Sequence, residues 1–335
     1  MITVAAAEEI ILSNTKDFGV ETIPFTTSLG RVLAEDILAD RDLPPYNRVT
    51  MDGIALRYGA FEKGIRAFKI ITVQAAGDYP HEIDNDDECI EIMTGAALPS
   101  TVDTVIRYED LEINSGLATL LVNSVFPSQN IHFKGKDRKL DEIVCKANQF
   151  ITPAVINMAA ATGKTELLVK KLPRTVIISS GDELVEVHET PSPFKVRRSN
   201  NYAVQAVLQQ YHLNPDMLRV PDDPDITREE IRNCLDKYDV VIISGAISAG
   251  KFDYVPKALA DLAVKKLFHK VKQRPGGPFW FGRHENGLLV FALPGNPVST
   301  FMCLHRFFLP WLRLCWNLEE EKDCAILDQD FTFTT

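Results

Sequence analysis

Four short segments of this chain bring together residue types that can do chemistry. Ser179-Ser180-Gly181-Asp182-Glu183-Leu184 follows the apolar run Val176–Ile178 and sets two carboxylates, Asp182 and Glu183, at the exit of an expected strand. Acids so placed can hold a divalent cation or a hydroxyl; equally, they can cap the segment that follows. Ser244-Gly245-Ala246-Ile247-Ser248-Ala249-Gly250, closed by Asp253, follows a second apolar run, Val240–Ile243. Its small residues let the backbone approach a ligand, and its N–H groups can cradle a phosphate. Pro294-Gly295-Asn296-Pro297-Val298-Ser299 follows a third run, Leu288–Leu293. Asn296 suits a helix N-cap and Pro297 the first helical position, which together present a helix N-terminus to an anion. The fourth segment, Lys272-Gln273-Arg274-Pro275-Gly276-Gly277-Pro278, sets cations among glycine turns, and Arg197 and Arg198 stand just before Ser199 and Asn200. Cations beside open backbone suit phosphate or another oxyanion.

These segments need a scaffold, and the chain from Pro173 supplies a rhythm of strand, turn and helix. The strands are RTVIISS, MLRV, DVVIIS and LLVFAL; the helices are SNNYAVQAVLQQYH, TREEIRNCLDKY, YVPKALADLA and STFMCLHRFFLPWL. Ser199 or Asn200 is the expected N-cap of the first helix, and Thr227 with Glu230 a capping box in the second. Such alternation predicts a mostly parallel, doubly wound sheet over 173–318. Ligands bind beyond the carboxyl ends of such strands, where three of the four segments fall.

The preceding half has another character. Residues 1–45 and 138–172 read as one split helical domain, with helices over Ala5–Asn14, around Leu29–Asp36 and in TPAVINMAAATG. Residues 46–137 read as an inserted antiparallel β domain of short runs such as FKIITVQA, ECIEIM and ATLLVNSVF. Met51-Asp52-Gly53 and Gly135-Lys136-Asp137 are loop acids beside glycines, which are turn residues unless they meet the other segments in space. Residues 319–335 are acidic and then strand-like.

Composition narrows the partners. Lysine and arginine number 36 against 46 acids, a net charge of −10 with no basic stripe, which disfavours nucleic acid. No apolar run approaches the ~20 residues of a membrane span, and the N-terminus lacks a secretory pattern. The cysteines, Cys89, Cys145, Cys234, Cys303, Cys315 and Cys324, form no CxxC pair and predict ordinary thiols in a cytoplasmic protein. Thr162-Gly163-Lys164-Thr165 imitates a Walker A tail, but Met158 stands where its first glycine belongs, so a helix C-cap is expected. His188, His269 and His284 form no metal-binding pattern.

Taken in order, the segments resemble the molybdopterin molybdenumtransferase (MoeA-like) family, which includes the E domain of gephyrin. PPYNRVTMDGIA, MTGAALPSTVDTVIRYED, NIHFKGKD, SSGDEL, RRSNNYAV, VPDDP, SGAISAGKFDYV, QRPGGPFWFG and LPGNPVS carry the resemblance over nearly the whole chain. It implies an elongated homodimer of helical, inserted β and α/β domains with a closing β-barrel, here absent or truncated to the stub 319–335. It implies insertion of molybdate into adenylylated molybdopterin with release of AMP, assisted by magnesium. The implied catalytic residues are Asp52, Asp137, Asp253 and Arg274. Gly181, Ser199, Asn200, Gly245, Ser248, Gly250, Pro275, Gly276, Pro294, Gly295, Asn296 and Pro297 would bind the pterin and phosphates. Asp182, Glu183 and Asp222 would carry the metal. Other enzymes of the pathway are the implied partners.

The sequence departs from that family pattern at Gly277, where lysine is common, at Lys136 and Lys251, where acids are frequent, and at Ala246 and Ile54. Two other readings stay open. One is a molybdopterin adenylyltransferase, which resembles the α/β domain alone. The other is a catalytically weak protein that binds molybdopterin or a partner.

Overall fold

The computed structural model describes residues 1–245, 254–318, 326 and 328. The chain divides into two units, one of Met1–Glu35, Ala147–Ile156 and Thr165–Thr335, the other of Asp36–Lys146 and Asn157–Lys164.

The first unit is built on a six-stranded sheet ordered Asp216–Val220, Thr175–Ser180, Val240–Ser244, Leu289–Leu293, Trp280–Arg283, Lys265–His269. The first four strands are parallel neighbours and the last two run antiparallel. Thr175–Ser180, Val240–Ser244 and Leu289–Leu293 are buried throughout, as strands covered on both faces must be. Helices Val4–Leu12, Ser199–Gln209 and Pro297–Cys303, with Leu309–Cys315, pack on one face around Phe291, Phe308 and Trp311. Pro224–Lys237 and Val255–Asp261 cover the other around Ile178, Val241 and Ile243. The sheet is therefore doubly wound, as expected, but the antiparallel edge hairpin 265–283 was not foreseen. Its strands, KKLFH and WFGR, carry too little alternation to declare themselves.

Helix starts differ from the expected ones for local reasons. Pro224–Lys237 begins before Thr227, because Asp223 accepts from the N–H groups of Asp225 and Ile226 and Pro224 follows it. Thr227 instead donates its hydroxyl to the Pro221 carbonyl from inside the helix. Ser199–Gln209 has no side-chain cap, since Asn200 is engaged elsewhere. Asn296 does cap Pro297–Cys303, accepting from the N–H groups of Val298 and Ser299.

The ranges 1–45 and 138–172, expected to form one helical domain, hold short strands as well as helices. Their described α-helices are Val4–Leu12, which packs with the doubly wound sheet, and Pro153–Ala161, whose residues are divided between the two units, and Phe25–Thr27 forms a 3-10 turn. Strand Val20–Pro24 pairs with Glu166–Lys170 in the first unit. No helix forms over 29–36, because the N–H groups of Gly30, Leu33 and Ala34 bond to the carbonyls of Ile151, Gln149 and Leu168.

The second unit holds a six-stranded sheet ordered Thr104–Arg107, Gly53–Leu56, Glu88–Ile92, Ala67–Gln74, Leu117–Leu120, Leu111–Asn114. The expected antiparallel sheet is a mixed one, because Ala67–Gln74 and Glu88–Ile92 run parallel. Two cores fill its faces, one around Phe68, Leu56 and Ile106, the other around Ile90, Ile92 and Val105. Gly163 closes Pro153–Ala161 at φ +74° and nothing there resembles a phosphate loop. Cys89, Cys145, Cys234, Cys303 and Cys315 are buried free thiols, and burial pushes Cys303 up to about 12.

Candidate active site at the carboxyl ends of the parallel strands

Four parallel strands end along one edge of the first unit, and their exit turns are tied together by side chains. Where Thr175–Ser180 ends, the Ser180 hydroxyl donates to Asp222 Oδ1 at 3.2 Å. The Asp182 N–H donates to Asp222 Oδ2 and the Asp222 N–H to Asp182 Oδ1, both at 3.2 Å. This reciprocal pair joins the exits of two neighbouring strands. Lys195 Nζ donates to the Asp182 carbonyl. Gly181 sits at φ +143°, and a Cβ on it would lie 2.4 Å from Glu183 Oε2, so Glu183 folds back over the glycine.

The next two exits meet through glycines and one amide. Gly245 holds φ +91° and donates its N–H to the Leu293 carbonyl at 3.2 Å. Asn200 Nδ2 donates to Ser244 Oγ at 3.0 Å and to the Gly295 carbonyl at 2.8 Å. One side chain thus fixes the start of a helix against two strand exits. These turns enclose a cleft of about 250 Å³ lined by Ser179, Ser180, Glu183, Arg197, Arg198, Ser199, Asn200, Asn201, Ser244, Gly245, Gly295 and Pro297, among others. Arg198 is held by Glu186, with Nε 2.9 Å from Oε2. Hydroxyls, the start of helix Ser199–Gln209, which no side chain caps, and two guanidinium groups make this a cleft for a polar, anionic ligand.

Of the expected site residues, Glu183, Ser199, Asn200, Gly245, Gly295 and Pro297 line the cleft, and Gly181, Asp182, Pro294 and Asn296 adjoin it in the chain. Ser248, Gly250, Asp253 and the departures Ala246 and Lys251 lie outside the described residues. Arg274, Pro275 and Gly276 do not line the cleft; they form the turn between the two edge strands. Gln273 Nε2 donates to the Gly276 carbonyl and lies 3.4 Å from Cys303 Sγ, which brings that turn to the far end of helix Pro297–Cys303. Six residues of rise separate Cys303 from Pro297, about 9 Å. Arg274 itself is exposed and makes no ion pair with a described residue. A Cβ on Gly277 would sit 3.1 Å from the Gln273 carbonyl, so a lysine there needs a small shift of the turn.

Asp52 and Asp137 belong to the second unit. Asp52 Oδ1 accepts the Thr94 N–H at 2.6 Å, and that bond holds its carboxyl below the usual range. Asp137 Oδ1 lies 2.8 Å from His132 Nε2.

The three acids expected to carry a metal, Asp182, Glu183 and Asp222, lie together at the strand exits. Asp182 and Asp222 each spend carboxylate oxygens on the other's N–H, and Asp222 also accepts from Ser180. Among the described residues no group of three His, Cys, Asp or Glu side chains is placed to hold a metal ion. The three acids therefore form no closed cage. They fit a magnesium ion only of the kind completed by a substrate's phosphates, which needs one or two carboxylates from the protein. Sequence reasoning also missed Asn201, a buried cleft residue on the apolar face it shares with Val204 and Leu208. A lone asparagine at helical spacing with two aliphatic residues was its only signal.

Among the described residues no helix is long and apolar enough to cross a membrane. Residues 2–163 match the MoeA N-terminal region (domain I and II), and residues 176–314 match a probable molybdopterin binding domain. A molybdopterin molybdenumtransferase of Synechocystis is 39% identical over 336 residues, covering 99% of this chain and 84% of the relative. One from Staphylococcus aureus strain Mu50 is 31% identical over 341 residues, covering 99% and 80%. The crystal structure of a molybdopterin biosynthesis moeA protein from Pyrococcus horikoshii superposes with a TM-score of 0.80 at 27% identity, covering 95% of this chain and 80% of that one. The cleft lies within the segment matched to the molybdopterin binding domain, and both halves of the chain are matched in order: the chain belongs to the molybdopterin molybdenumtransferase family of molybdenum cofactor biosynthesis.

Proposed function

We propose that this chain inserts molybdate into the dithiolene of adenylylated molybdopterin with release of AMP. The observation that carries this reading is the cleft itself, where the start of helix Ser199–Gln209, without a side-chain cap, presents backbone to an anion beside Arg197 and Arg198. In the reaction, water attacks the phosphoanhydride between pterin and adenylate, so that AMP leaves and the pterin keeps its phosphate, and the two dithiolene thiols bond to molybdenum while a molybdate oxygen departs as water with their two protons. Asn200 keeps the two strand exits in register, so the cleft wall needs no reorganisation as charge shifts on the phosphates. Magnesium, bound through Glu183 or the free lone pairs of Asp182 and Asp222 together with substrate phosphate, would neutralise the anhydride oxygens. Asp52, Asp137, Asp253 and Arg274 are proposed as the further catalytic residues, with Arg274 drawing in the molybdate dianion. Ser248, Gly250, Pro275 and Gly276 are proposed as further pterin and phosphate contacts. Under this reading the chain is a cytoplasmic homodimer that receives its adenylylated pterin from another enzyme of the pathway.

Two variants place the ligands. Gly245→Val puts a branched side chain at φ +91°, with its Cβ 3.2 Å from the Ser180 carbonyl, on the wall of the cleft. Calorimetric titration with adenylylated molybdopterin should show affinity reduced by about tenfold or more. Equal affinity would move the pterin elsewhere. Arg274→Ala should weaken molybdate use by about 1.5–3 kcal/mol, the worth of a hydrogen bond to a charged group, and leave pterin binding nearly unchanged. The ratio of the two effects is the readout; equal losses would remove Arg274 from the molybdate site.

A second reading, a molybdopterin-binding protein of low activity, draws on Lys136, Lys251 and Gly277, which change the charge expected near the oxyanion. It expects tight pterin binding without turnover.

A further inference from the structure

Asn201 is 1% exposed, yet neither its Oδ1 nor its Nδ2 has a hydrogen-bond partner among the described residues. It lines the cleft, on the face of helix Ser199–Gln209 that also buries Val204 and Leu208. Its polar neighbours there are already engaged. Ser179 donates to the Leu218 carbonyl, Ser180 to Asp222, and Ser244 accepts from Asn200. A buried amide with both ends unpaired is costly in the free protein, so its retention calls for a partner that arrives later.

The chemistry of the amide says which partner. A phosphate or molybdate offers acceptors alone and would leave Oδ1 unpaired. An aliphatic group would leave both atoms unpaired. A planar ring edge that carries an N–H beside a C=O satisfies both at once, as an asparagine pairs with the donor and acceptor edge of adenine. The pterin ring has such a lactam edge. We propose that Asn201 is the specificity residue that reads the lactam edge of the pterin, while the start of its helix and the arginines hold the phosphate. This rests on the functional reading above.

The test compares the wild-type chain with Asn201→Leu and Asn201→Ser, each titrated with adenylylated molybdopterin and each melted without ligand. Leucine removes the unpaired amide and keeps the volume, so the free variant should melt higher while binding the ligand about tenfold or more weakly. Serine is too short to reach the ring and adds no bulk, so it should weaken binding similarly; it carries the test if the leucine variant fails to fold. Wild-type affinity in a folded variant would overturn the role of Asn201 and leave the functional reading intact. Absence of binding by the wild-type chain would overturn the functional reading and the inference with it.

Discussion

Gly53→Ala should destabilise the second unit by about 3 kcal/mol, the upper end of the usual cost of overpacking. Gly53 lies in a strand paired on both sides, opposite Ile92 and opposite Arg107. A Cβ there would fall 1.9 Å from the Ile106 carbonyl oxygen and 2.8 Å from Arg107 Cα. Both obstacles are backbone in a sheet, so no side chain can swing aside, and the strands must separate. Separation would cost the ladder bonds around Ile54, Ala55 and Ile106, the centre of the two cores. It would also move Asp52, whose carbonyl accepts the Tyr108 N–H and whose carboxylate accepts the Thr94 N–H. The glycine of Met51-Asp52-Gly53 is thus required by a close approach of backbone, and it fixes the acid before it. Amide exchange at Ile54 and Ile106 measures the effect directly. Protection equal to wild type would show that the sheet can open there at no cost.

The paired change Asp182→Asn with Glu183→Gln should lower turnover at least about 100-fold, since metal-assisted charge stabilisation is worth several kcal/mol. The fold should survive. An asparagine at 182 keeps the carbonyl oxygen that accepts the Asp222 N–H, and its own N–H still reaches Asp222. A glutamine at 183 has the shape of the glutamate that lies over Gly181. What is lost is negative charge at the strand exit. Melting temperature and the magnesium dependence of the rate should be read together. An unchanged melting point with magnesium no longer rate-enhancing supports the metal role; an unchanged magnesium dependence would remove Asp182 and Glu183 from it.

The parts of this site legible in the sequence are those set by local rules. Val240–Ser244 and Leu289–Leu293 are buried on both faces, so they read as continuous apolar runs ending in glycine turns. Asn296-Pro297 reads as a helix start because cap and proline act within three residues. The illegible parts depend on distant partners. Leu29, Val32 and Leu33 have helical spacing, but the carbonyls of Gln149, Ile151 and Leu168 capture the backbone. The parallel pairing of Ala67–Gln74 with Glu88–Ile92 leaves no trace in either strand alone. Thr227 and Glu230 offered a capping box, but Asp223-Pro224 offered a stronger start four residues earlier. Asn200 and Asn201 are adjacent in sequence and opposite in circumstance, one bridging two strand exits and the other buried without a partner. Only the geometry separates them.

The central claim is that the cleft performs chemistry on adenylylated molybdopterin and does not merely hold it. The most direct measurement is AMP release from that substrate by the purified chain with magnesium, with and without molybdate. Release that requires molybdate is the predicted result. Tight binding of the substrate with no AMP released, at any molybdate concentration, would contradict the account and leave the chain a molybdopterin-binding protein.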